Sequence, residues 1–483
     1  MDGSGVTRRD SPDDRSPKTW RLAPDAWRLS ARLTPAQVDR YLRVRTARAL
    51  PRSIRSRFTA MRIPNETVER VLGEIRSLDR WMDAWNQAAQ RFLTEARCEE
   101  KVGGWREAAE ARVSAAMCFH AAHLVTDPDP RTVRTLRASS VTTFAQAVPK
   151  IFPETHKIGV TWRNRHLPAY LALPVAGPAP FPLLVMLNGA TTCKEELLLW
   201  CGPILEAGVA VLTLDWPGTG ESASLGPPEP HCDDLTDAIV DLAADDPDLD
   251  PDMVVLLGFS LGGTVALRAT ALDRRVAGAV AVTPPYDPRA WLHYVNPLVR
   301  QQVLSFSGNP AADRDAPGRF SLRGELDRLR APILLFGAGH DLVVPPEEAL
   351  AVAADAGELA TVCWYPKGGH GLYAEIPDWT TLSAHWVNGL FDRTAPPSPV
   401  ELHDPPRGPE QLATVIAPAG EVEGDLFEEH SDNRDALDED DEAATPSVSP
   451  AAPVRTTRES TQVDSASHRT PRDIWDDDDD PDA

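Results

Sequence analysis

The sequence lacks the cysteine patterns of a disulfide-stapled or zinc-binding protein. It contains six cysteines in 483 residues. None of them forms a Cys-x-x-Cys pair, and no nearby histidines supply the spacing of zinc ligands. Scattered cysteines of this kind are typical of reduced side chains in a buried core. The sequence therefore predicts neither a disulfide framework nor a metal site.

Long apolar runs are also missing. No stretch of about 18 apolar residues occurs, so no transmembrane helix is predicted. The first ten residues are polar and lack the apolar segment of a secretory signal peptide. From these two absences we expect a cytoplasmic protein with no membrane partner.

An excess of positive charge is absent, and the negative charge is concentrated at one end. The formal net charge is −23. Residues 395–483 carry 24 acidic and 6 basic side chains, a net charge of −18, whereas the remaining residues carry 48 acidic and 43 basic ones, a net charge of −5. This distribution argues against binding to nucleic acid or to an anionic membrane surface.

The two ends of the chain differ in composition from its middle. Residues 1–19 are polar and contain proline, and residues 395–483 are rich in proline, acidic residues, serine and threonine. Such segments bury too little apolar surface to offset the entropy lost on ordering, so both are predicted to be disordered. The folded part of the protein is expected between them.

Two patterns divide this middle part. Residues 20–152 show helical periodicity, with helices predicted over 68–96 and 105–124, and are expected to form an all-helical domain, which the resemblance given below implies is a cap. In residues 153–394, short apolar runs alternate with helical stretches. This alternation is typical of an α/β domain with a mostly parallel, doubly wound sheet. Strands are predicted at 160–162, 169–173, 183–187, 210–214, 253–257, 276–282, 333–336 and 361–365.

One pentapeptide has the form of a nucleophile elbow, Gly258-Phe259-Ser260-Leu261-Gly262. In such an elbow a serine occupies a strained turn between a strand and a helix, and the flanking glycines avoid a steric clash. Here the apolar strand pattern of residues 253–257 precedes it and a helical pattern follows. We therefore predict Ser260 as a catalytic nucleophile.

A catalytic serine needs a histidine base and a carboxylate that orients the histidine, and in this type of domain their order is Ser, acid, His. Asp341 follows the strand 333–336 and a glycine loop, and His370 follows the next strand in another glycine-rich loop. His340 precedes the acid and is the poorer candidate for the base. The predicted triad is Ser260, Asp341 and His370, which requires no cofactor.

Two backbone amides are needed to bind the oxyanion that develops during acyl transfer. Leu261, the residue after the nucleophile, supplies one. The loop Asn188–Thr192 after the third strand supplies the other, with Ala190 the preferred donor, although an ordinary glycine turn would also explain this loop. The segment Asp215–Ser222, after the fourth strand, is interpreted as architecture.

Three segments together resemble one group of proteins: the helical stretch around Asp79–Trp81 and Trp105–Arg112, the loop Asn188–Glu196, and the loop Asp215–Ser222. The group is the α/β-hydrolases with an N-terminal helical cap. It includes 2,6-dihydroxypseudooxynicotine hydrolase, the fungal polyketide-shortening hydrolases and the FrsA-like esterases.

The resemblance implies an α/β-hydrolase fold in which the helical domain covers the active site. It also implies cleavage of a C–C bond in a β-diketone- or polyketide-like compound, or of an ester. Members that cleave C–C bonds are expected to use an extra carboxylate after the sixth strand. In this sequence that carboxylate is Asp287, which becomes a candidate substrate-site residue.

Several alternatives remain open at this point. A general carboxylesterase or an acyltransferase would use the same triad, and a non-catalytic binding module belongs to a different class. The expected partner is a bulky or aromatic small molecule, and a homodimer is left open.

The composition break near residue 394 generates the first prediction. A chain that ends at Thr394 is expected to keep its melting temperature and its hydrolytic activity, because the removed segment contributes no apolar core. Differential scanning fluorimetry and an esterase assay on both chain lengths check this. A melting temperature lower by many degrees would instead mean that the acidic tail stabilises the folded part.

Overall fold

A helical region precedes the sheet. The computed structural model describes residues 34–50, 52–126, 129–295, 300 and 316–393. The disorder predicted for residues 1–19 and 395–483 concerns segments outside the described residues. In the described part before the first strand, the α-helices are α1 Pro35–Arg45, α2 Arg52–Ala60, α3 Asn65–Glu74, α4 Trp81–Lys101, α5 Trp105–Ala121 and α6 Pro130–Ile151.

The single helix predicted over residues 68–96 is wrong, because the chain breaks between α3 and α4. Ile75 has an extended backbone (φ −80°, ψ 112°), and its carbonyl accepts a hydrogen bond from the amide of Ala47 at 3.0 Å. The amide of Leu78 donates to a carboxylate oxygen of Asp39 at 2.7 Å. These contacts with distant residues replace intrahelical bonds, so the apolar periodicity continues while the helix does not.

Aromatic side chains hold the helical region together. The rings of Phe58 in α2 and of Trp81 and Trp85 in α4 are buried, with centroids 4.7 Å apart for Phe58 and Trp85 and 6.0 Å apart for the two tryptophans. The indole N–H of Trp81 donates to the carbonyl of Ala121 at the end of α5 at 2.9 Å. The buried ring of Phe58 therefore fixes one face of α2 against this core. The other face of α2 carries polar residues.

Eight strands form one mostly parallel sheet, in the order β1-β2-β4-β3-β5-β6-β7-β8. The pairs β1–β2 and β2–β4 are antiparallel, and the other pairs are parallel. All eight strands predicted from the sequence are present. Their bounds are β1 Thr155–Trp162, β2 Arg165–Ala172, β3 Phe181–Leu187, β4 Ala210–Leu214, β5 Leu249–Phe259, β6 Val276–Val282, β7 Ile333–Ala338 and β8 Ala360–Tyr365.

Both faces of the sheet are covered. In β3, Leu184 and Met186 belong to the same hydrophobic core as Phe58 and Trp81, whereas Leu183 belongs to a second core on the opposite face. This alternation follows from the two-residue period of a strand. The N-terminal helices thus share a core with one face of the sheet. The further α-helices described are α7 Lys194–Leu198, α8 Gly202–Glu206, α9 Leu235–Asp245, α10 Leu261–Leu272, α11 Pro288–Trp291, α12 Glu347–Ala356 and α13 Ile376–Leu390.

The parallel strands bring the predicted site residues to one edge of the sheet. Phe259, the last residue of β5, pairs with Val282, the last residue of β6, and Val282 pairs with Phe336 in β7. The loops that follow β5, β6, β7 and β8 therefore start side by side. This is the edge at which open α/β sheets place their ligands.

Cysteine usage agrees with the sequence analysis in all but one position. All six cysteines are free, and five are buried, but Cys98 is exposed on α4 rather than part of a core. Among the described residues, no helix is both long enough and apolar enough to cross a membrane.

The packing of α10 against β3 generates a second prediction. A Cβ atom on Gly262 would lie 2.4 Å from the carbonyl oxygen of Leu187 and 2.5 Å from that of Asn188. Backbone cannot move aside as a flexible side chain can. We expect Gly262→Ala to lower the free energy of unfolding by about 1–3 kcal/mol through overpacking, measured by urea denaturation.

Gly389 in α13 is the matched control, because a Cβ atom there meets nothing within 4 Å. Gly389→Ala is expected to leave stability unchanged or to raise it by up to about 1 kcal/mol, since alanine favours the helix. Equal stabilities of the two variants would contradict the packing argument.

Candidate active site

Ser260 sits on a strained turn between β5 and α10. Its backbone angles are φ 52° and ψ −120°, and its amide donates to the carbonyl of Val282 at 2.9 Å. A Cβ atom on Gly258 would lie 2.1 Å from the carbonyl oxygen of Gly262, so neither side of the turn has room for a side chain. The strand–turn–helix context expected of a nucleophile elbow is thus present.

In the predicted triad, His370 lies within hydrogen-bonding distance of both Ser260 and Asp341. The Nε2 atom of His370 is 3.1 Å from the Oγ atom of Ser260, and its Nδ1 atom is 2.8 Å from the Oδ2 atom of Asp341. The Oδ1 atom of Asp341 accepts the amides of Val343 and Val344, both at 2.8 Å. With one oxygen held by backbone, the carboxylate can orient His370 so that Nε2 faces the serine.

The segment that carries His370 is fixed from below. Gly371 has φ 75°, and its amide donates to the Oγ1 atom of Thr283 at 3.2 Å. A Cβ atom on Gly371 would lie 2.3 Å from the ring of Phe259, which itself lies under His370 with ring centroids 6.4 Å apart. The glycine is therefore required both by its backbone angle and by the close approach of Phe259.

The loop after β3, residues 188–192, lies against the serine turn. A Cβ atom on Gly189 would be 2.9 Å from the carbonyl oxygen of Phe259 and 3.2 Å from the Cβ atom of Ser260. Within the loop, the amide of Gly189 donates to the Oγ1 atom of Thr192 at 2.6 Å. The loop thus approaches the nucleophile with its own backbone partly committed to internal hydrogen bonds.

Two amides in this neighbourhood can serve an oxyanion. The amide of Gly189 is used inside the loop, and among the hydrogen bonds of the described residues none uses the amide of Ala190. Leu261 opens α10, so its amide has no acceptor within the helix. These are the two donors named from the sequence: Leu261 directly follows Ser260, and Ala190 directly follows Gly189, where the loop comes close to Ser260.

Asp287 lies in the loop after β6, as expected, but it is engaged by two arginines. Its Oδ1 atom accepts from Arg289 at 3.0 Å, and its Oδ2 atom accepts from Arg323 at 2.7 Å. Burial raises the pKa of Asp287, but the hydrogen bonds and charges of the two guanidinium groups outweigh burial and hold the pKa below its ordinary value. The carboxylate is therefore ionised and has no proton to donate.

A buried acid that the sequence analysis did not identify supports this loop. The Oε2 atom of Glu348 in α12 accepts the amides of Tyr286 and Asp287, both at 2.8 Å, and the indole N–H of Trp291 at 2.6 Å. Burial raises the pKa of Glu348 to about 7. Nothing in the local sequence distinguishes this glutamate from a surface residue of an amphipathic helix.

A second buried network lies below the loop after β3. The Nζ atom of Lys194 is 2.6 Å from Glu195, 2.6 Å from Glu221 and 3.3 Å from Asp215, and the lysine side chain is completely buried. Burial lowers the pKa of Lys194, but the three carboxylates outweigh it and hold the pKa well above its ordinary value. The role of Asp215 is architectural, because it also accepts the amides of Lys194 and Glu221.

A third cluster joins the helical region to the same loop. Ligand-type atoms of His120, Cys193 and Glu196 lie within 4.8 Å of one another. The guanidinium of Arg57, however, donates to both carboxylate oxygens of Glu196 at 3.0 Å. A divalent cation would have to compete with this guanidinium, so we interpret the cluster as an ion pair rather than a metal centre.

Comparison with known proteins shows which family the chain resembles. A model of the alpha/beta hydrolase family matches residues 184–432, and a model described as esterase FrsA-like matches residues 49–287. Hydrolase ORFZ of Pyricularia oryzae is 30% identical over 335 residues, which cover 57% of this chain and 78% of that protein. A 2,6-dihydropseudooxynicotine hydrolase of Paenarthrobacter nicotinovorans is 29% identical over 201 residues, which cover 42% of this chain.

The chain spans about half the length of some of these relatives, 54% for the Paenarthrobacter protein and 54% for the hydrolase PyiE of Pyricularia grisea. The crystal structure of the 2,6-dihydroxy-pseudo-oxynicotine hydrolase superposes with a TM-score of 0.62 at 23% identity, covering 71% of this chain and 98% of that one. This likeness concerns the fold alone.

The predicted resemblance and the predicted fold class are both confirmed by these comparisons. The alpha/beta hydrolase match extends over more than half of the 483 residues. The chain therefore belongs to the α/β-hydrolase family.

Proposed function

We propose that the protein is a serine hydrolase that cleaves a carbonyl substrate through an acyl-enzyme. The observation that carries the proposal is the series of contacts from Asp341 through His370 to Ser260, 2.8 and 3.1 Å long. A serine hydroxyl is a poor nucleophile at neutral pH unless an adjacent base removes its proton. These contacts supply a base and the carboxylate that orients it.

In the first half of the reaction, the Oγ atom of Ser260 attacks the carbonyl carbon while Nε2 of His370 takes the hydroxyl proton. The carbonyl oxygen becomes an oxyanion, which the amides of Ala190 and Leu261 bind. Asp341 stabilises the imidazolium that forms. Collapse of the tetrahedral intermediate breaks the bond to the leaving group, which receives the proton from His370.

In the second half, water attacks the acyl-serine ester. His370 removes a proton from the water and returns it to Ser260 as the acid leaves. The net change is the addition of one water molecule across the cleaved bond. Every step involves only the substrate, water and the triad residues. The amides of Ala190 and Leu261 and the carboxylate of Asp341 stabilise the charges that form.

The proposed substrate is a bulky or aromatic carbonyl compound, either an ester or a β-diketone cleaved at a C–C bond. The Paenarthrobacter relative is named as a hydrolase of 2,6-dihydropseudooxynicotine. The elements around Ser260 support a specific pocket, since α2 packs against the His370 segment and the helical region shares its core with the sheet. Transfer of the acyl group to an alcohol would use the same residues and is the alternative reaction.

Asp287 is proposed to act at the substrate site. It follows β6, whose last residue accepts the amide of Ser260, so its loop begins beside the nucleophile. An ionised carboxylate can accept a hydrogen bond from the enol hydroxyl of a β-diketone, and a simple ester has no such group. This difference makes Asp287 a candidate for discrimination between the two substrate types.

The nucleophile assignment gives the third prediction. Ser260→Ala is expected to lower kcat by about 10³-fold or more, because triad residues act as a unit, and to abolish labelling by a fluorophosphonate probe. Ser383→Ala, which removes a buried hydroxyl of α13 bonded to the carbonyl of Trp379, is the control and should retain labelling. Labelling of the Ser260→Ala protein would refute the assignment, because the reactive nucleophile would then be another residue.

The role of Asp287 gives the fourth prediction. A hydrogen bond to a charged group contributes about 1.5–3 kcal/mol, or about 10- to 100-fold in rate. Asp287→Asn should therefore lower kcat/KM for an aryl β-diketone by about 10-fold or more, and lower it less for an aryl ester. Asp273→Asn, which breaks the ion pair of an aspartate with Arg275 at the far end of α10, controls for loss of an ion pair. Equal losses on both substrates would restrict Asp287 to a role in folding the loop.

A further inference from the structure

Arg57 reaches from the helical region to the loop that approaches the nucleophile. It belongs to α2, and its side chain is 12% exposed. One guanidinium nitrogen donates to the Oγ1 atom of Thr191 at 2.9 Å, and another donates to the carbonyl oxygen of Thr191 at 2.8 Å. Thr191 directly follows Ala190, so these bonds hold the residue next to the proposed oxyanion donor.

The same guanidinium is anchored by a buried carboxylate. It donates to both oxygens of Glu196 at 3.0 Å, and Glu196 is completely buried. Nε2 of His120 in α5 lies 3.1 Å from the Oε2 atom of Glu196. Burial lowers the pKa of Arg57, but the charge of Glu196 outweighs it and raises the pKa above its ordinary value. A charged, planar, bidentate contact of this kind holds its partners in one geometry.

Arg57 also contacts the segment that carries the base. Its guanidinium carbon lies 5.4 Å from the ring centroid of Tyr373, three residues after His370. The ring of Tyr373 packs on Phe259, the residue before Ser260, with centroids 5.4 Å apart. One side chain of the helical region thus touches the loop 188–192 and a ring of the His370 segment that packs on Phe259.

We propose that Arg57 is a positioning residue for the hydrolytic reaction: it holds residues 188–192 so that the amide of Ala190 meets the oxyanion formed at Ser260. This inference rests on the proposed serine hydrolase function. It makes the helical region a working part of the catalytic machinery, because a displaced oxyanion donor stabilises the transition state less while substrate binding is little affected.

Removal of Arg57 alone would leave the buried carboxylate of Glu196 without its guanidinium partner and with only His120 beside it, which is strongly destabilising. The informative variant is therefore the double substitution Arg57→Gln with Glu196→Gln. It neutralises both partners, so the buried charge disappears, but the bidentate hold on Thr191 is also lost. Its melting temperature should lie above that of the single Arg57→Gln protein.

Arg62→Gln is the matched control. The side chain of Arg62 also extends from the helical region to the α/β part, where it donates to the carbonyl of Leu199 at 3.3 Å. Its guanidinium lies over the ring of Phe152, 5.3 Å from the ring centroid. Among the described residues, the hydrogen bonds of the Arg62 side chain do not include residues 188–192. The control therefore distinguishes two effects: the loss of any arginine that joins the helical region to the α/β part, and the loss of the contact with Thr191.

The experiment measures kcat and KM for an aryl ester in wild type, in Arg57→Gln/Glu196→Gln and in Arg62→Gln. The double variant is expected to lose on the order of 10- to 100-fold in kcat, below the 10²–10³-fold cost of deleting an oxyanion donor, with KM nearly unchanged. Arg62→Gln should retain wild-type kcat. If these arginines had a purely structural role, the amount of active enzyme would fall in both variants. The kcat per labelled site would then be unchanged.

Hydrogen–deuterium exchange of a peptide covering residues 188–192 supplies a readout independent of activity. Faster exchange in the double variant than in Arg62→Gln supports the proposal. Wild-type kcat per labelled site in the folded double variant, or unchanged exchange, overturns it. Failure of the wild type to label at Ser260 would instead overturn the serine hydrolase assignment, while the exchange comparison would still report on Arg57.

Discussion

The strained backbone of Ser260 is the constraint on which the rest of the site depends. Its φ of 52° and ψ of −120° turn the chain from strand to helix in one residue and bring α10 back toward β3. Glycines at 258 and 262 are required because carbonyl groups occupy the space that their side chains would fill. The strain persists because core packing and the hydrogen bond to Val282 hold the turn from both sides.

The pairing of parallel strands brings residues that are far apart in the sequence close together in space. Ser260 and His370 are 110 residues apart in sequence, yet their reactive atoms are 3.1 Å apart. Each follows a strand of the same sheet, and the carboxyl ends of neighbouring parallel strands meet at one edge. The short contacts within that edge, such as Gly371 to Thr283, then fix the loops relative to one another.

Buried ion pairs fix the position of the loop after β3. Lys194 and its carboxylates lie under the loop after β3, and Arg57 with Glu196 joins that loop to the helices. Removing such ions from water is costly, and the cost is offset only when partners and geometry are well matched. The helical region and the sheet are therefore joined by apolar packing around Phe58 and by a directional ion pair beside it.

The sequence alone determined the eight strands and the serine turn, and it named Asp341 and His370 as candidates, because each depends on local patterns: apolar runs, glycines and chain order. Only the tertiary structure decided the break at Ile75, the arginines around Asp287, the buried state of Glu348 and the contact of Arg57 with Thr191. Apart from Arg289, which is a near neighbour of Asp287, the partners in these contacts lie at least 28 residues apart in sequence, as Ile75 and Ala47 do. Local periodicity carries no information about such pairings, since it is the fold that brings the two groups together.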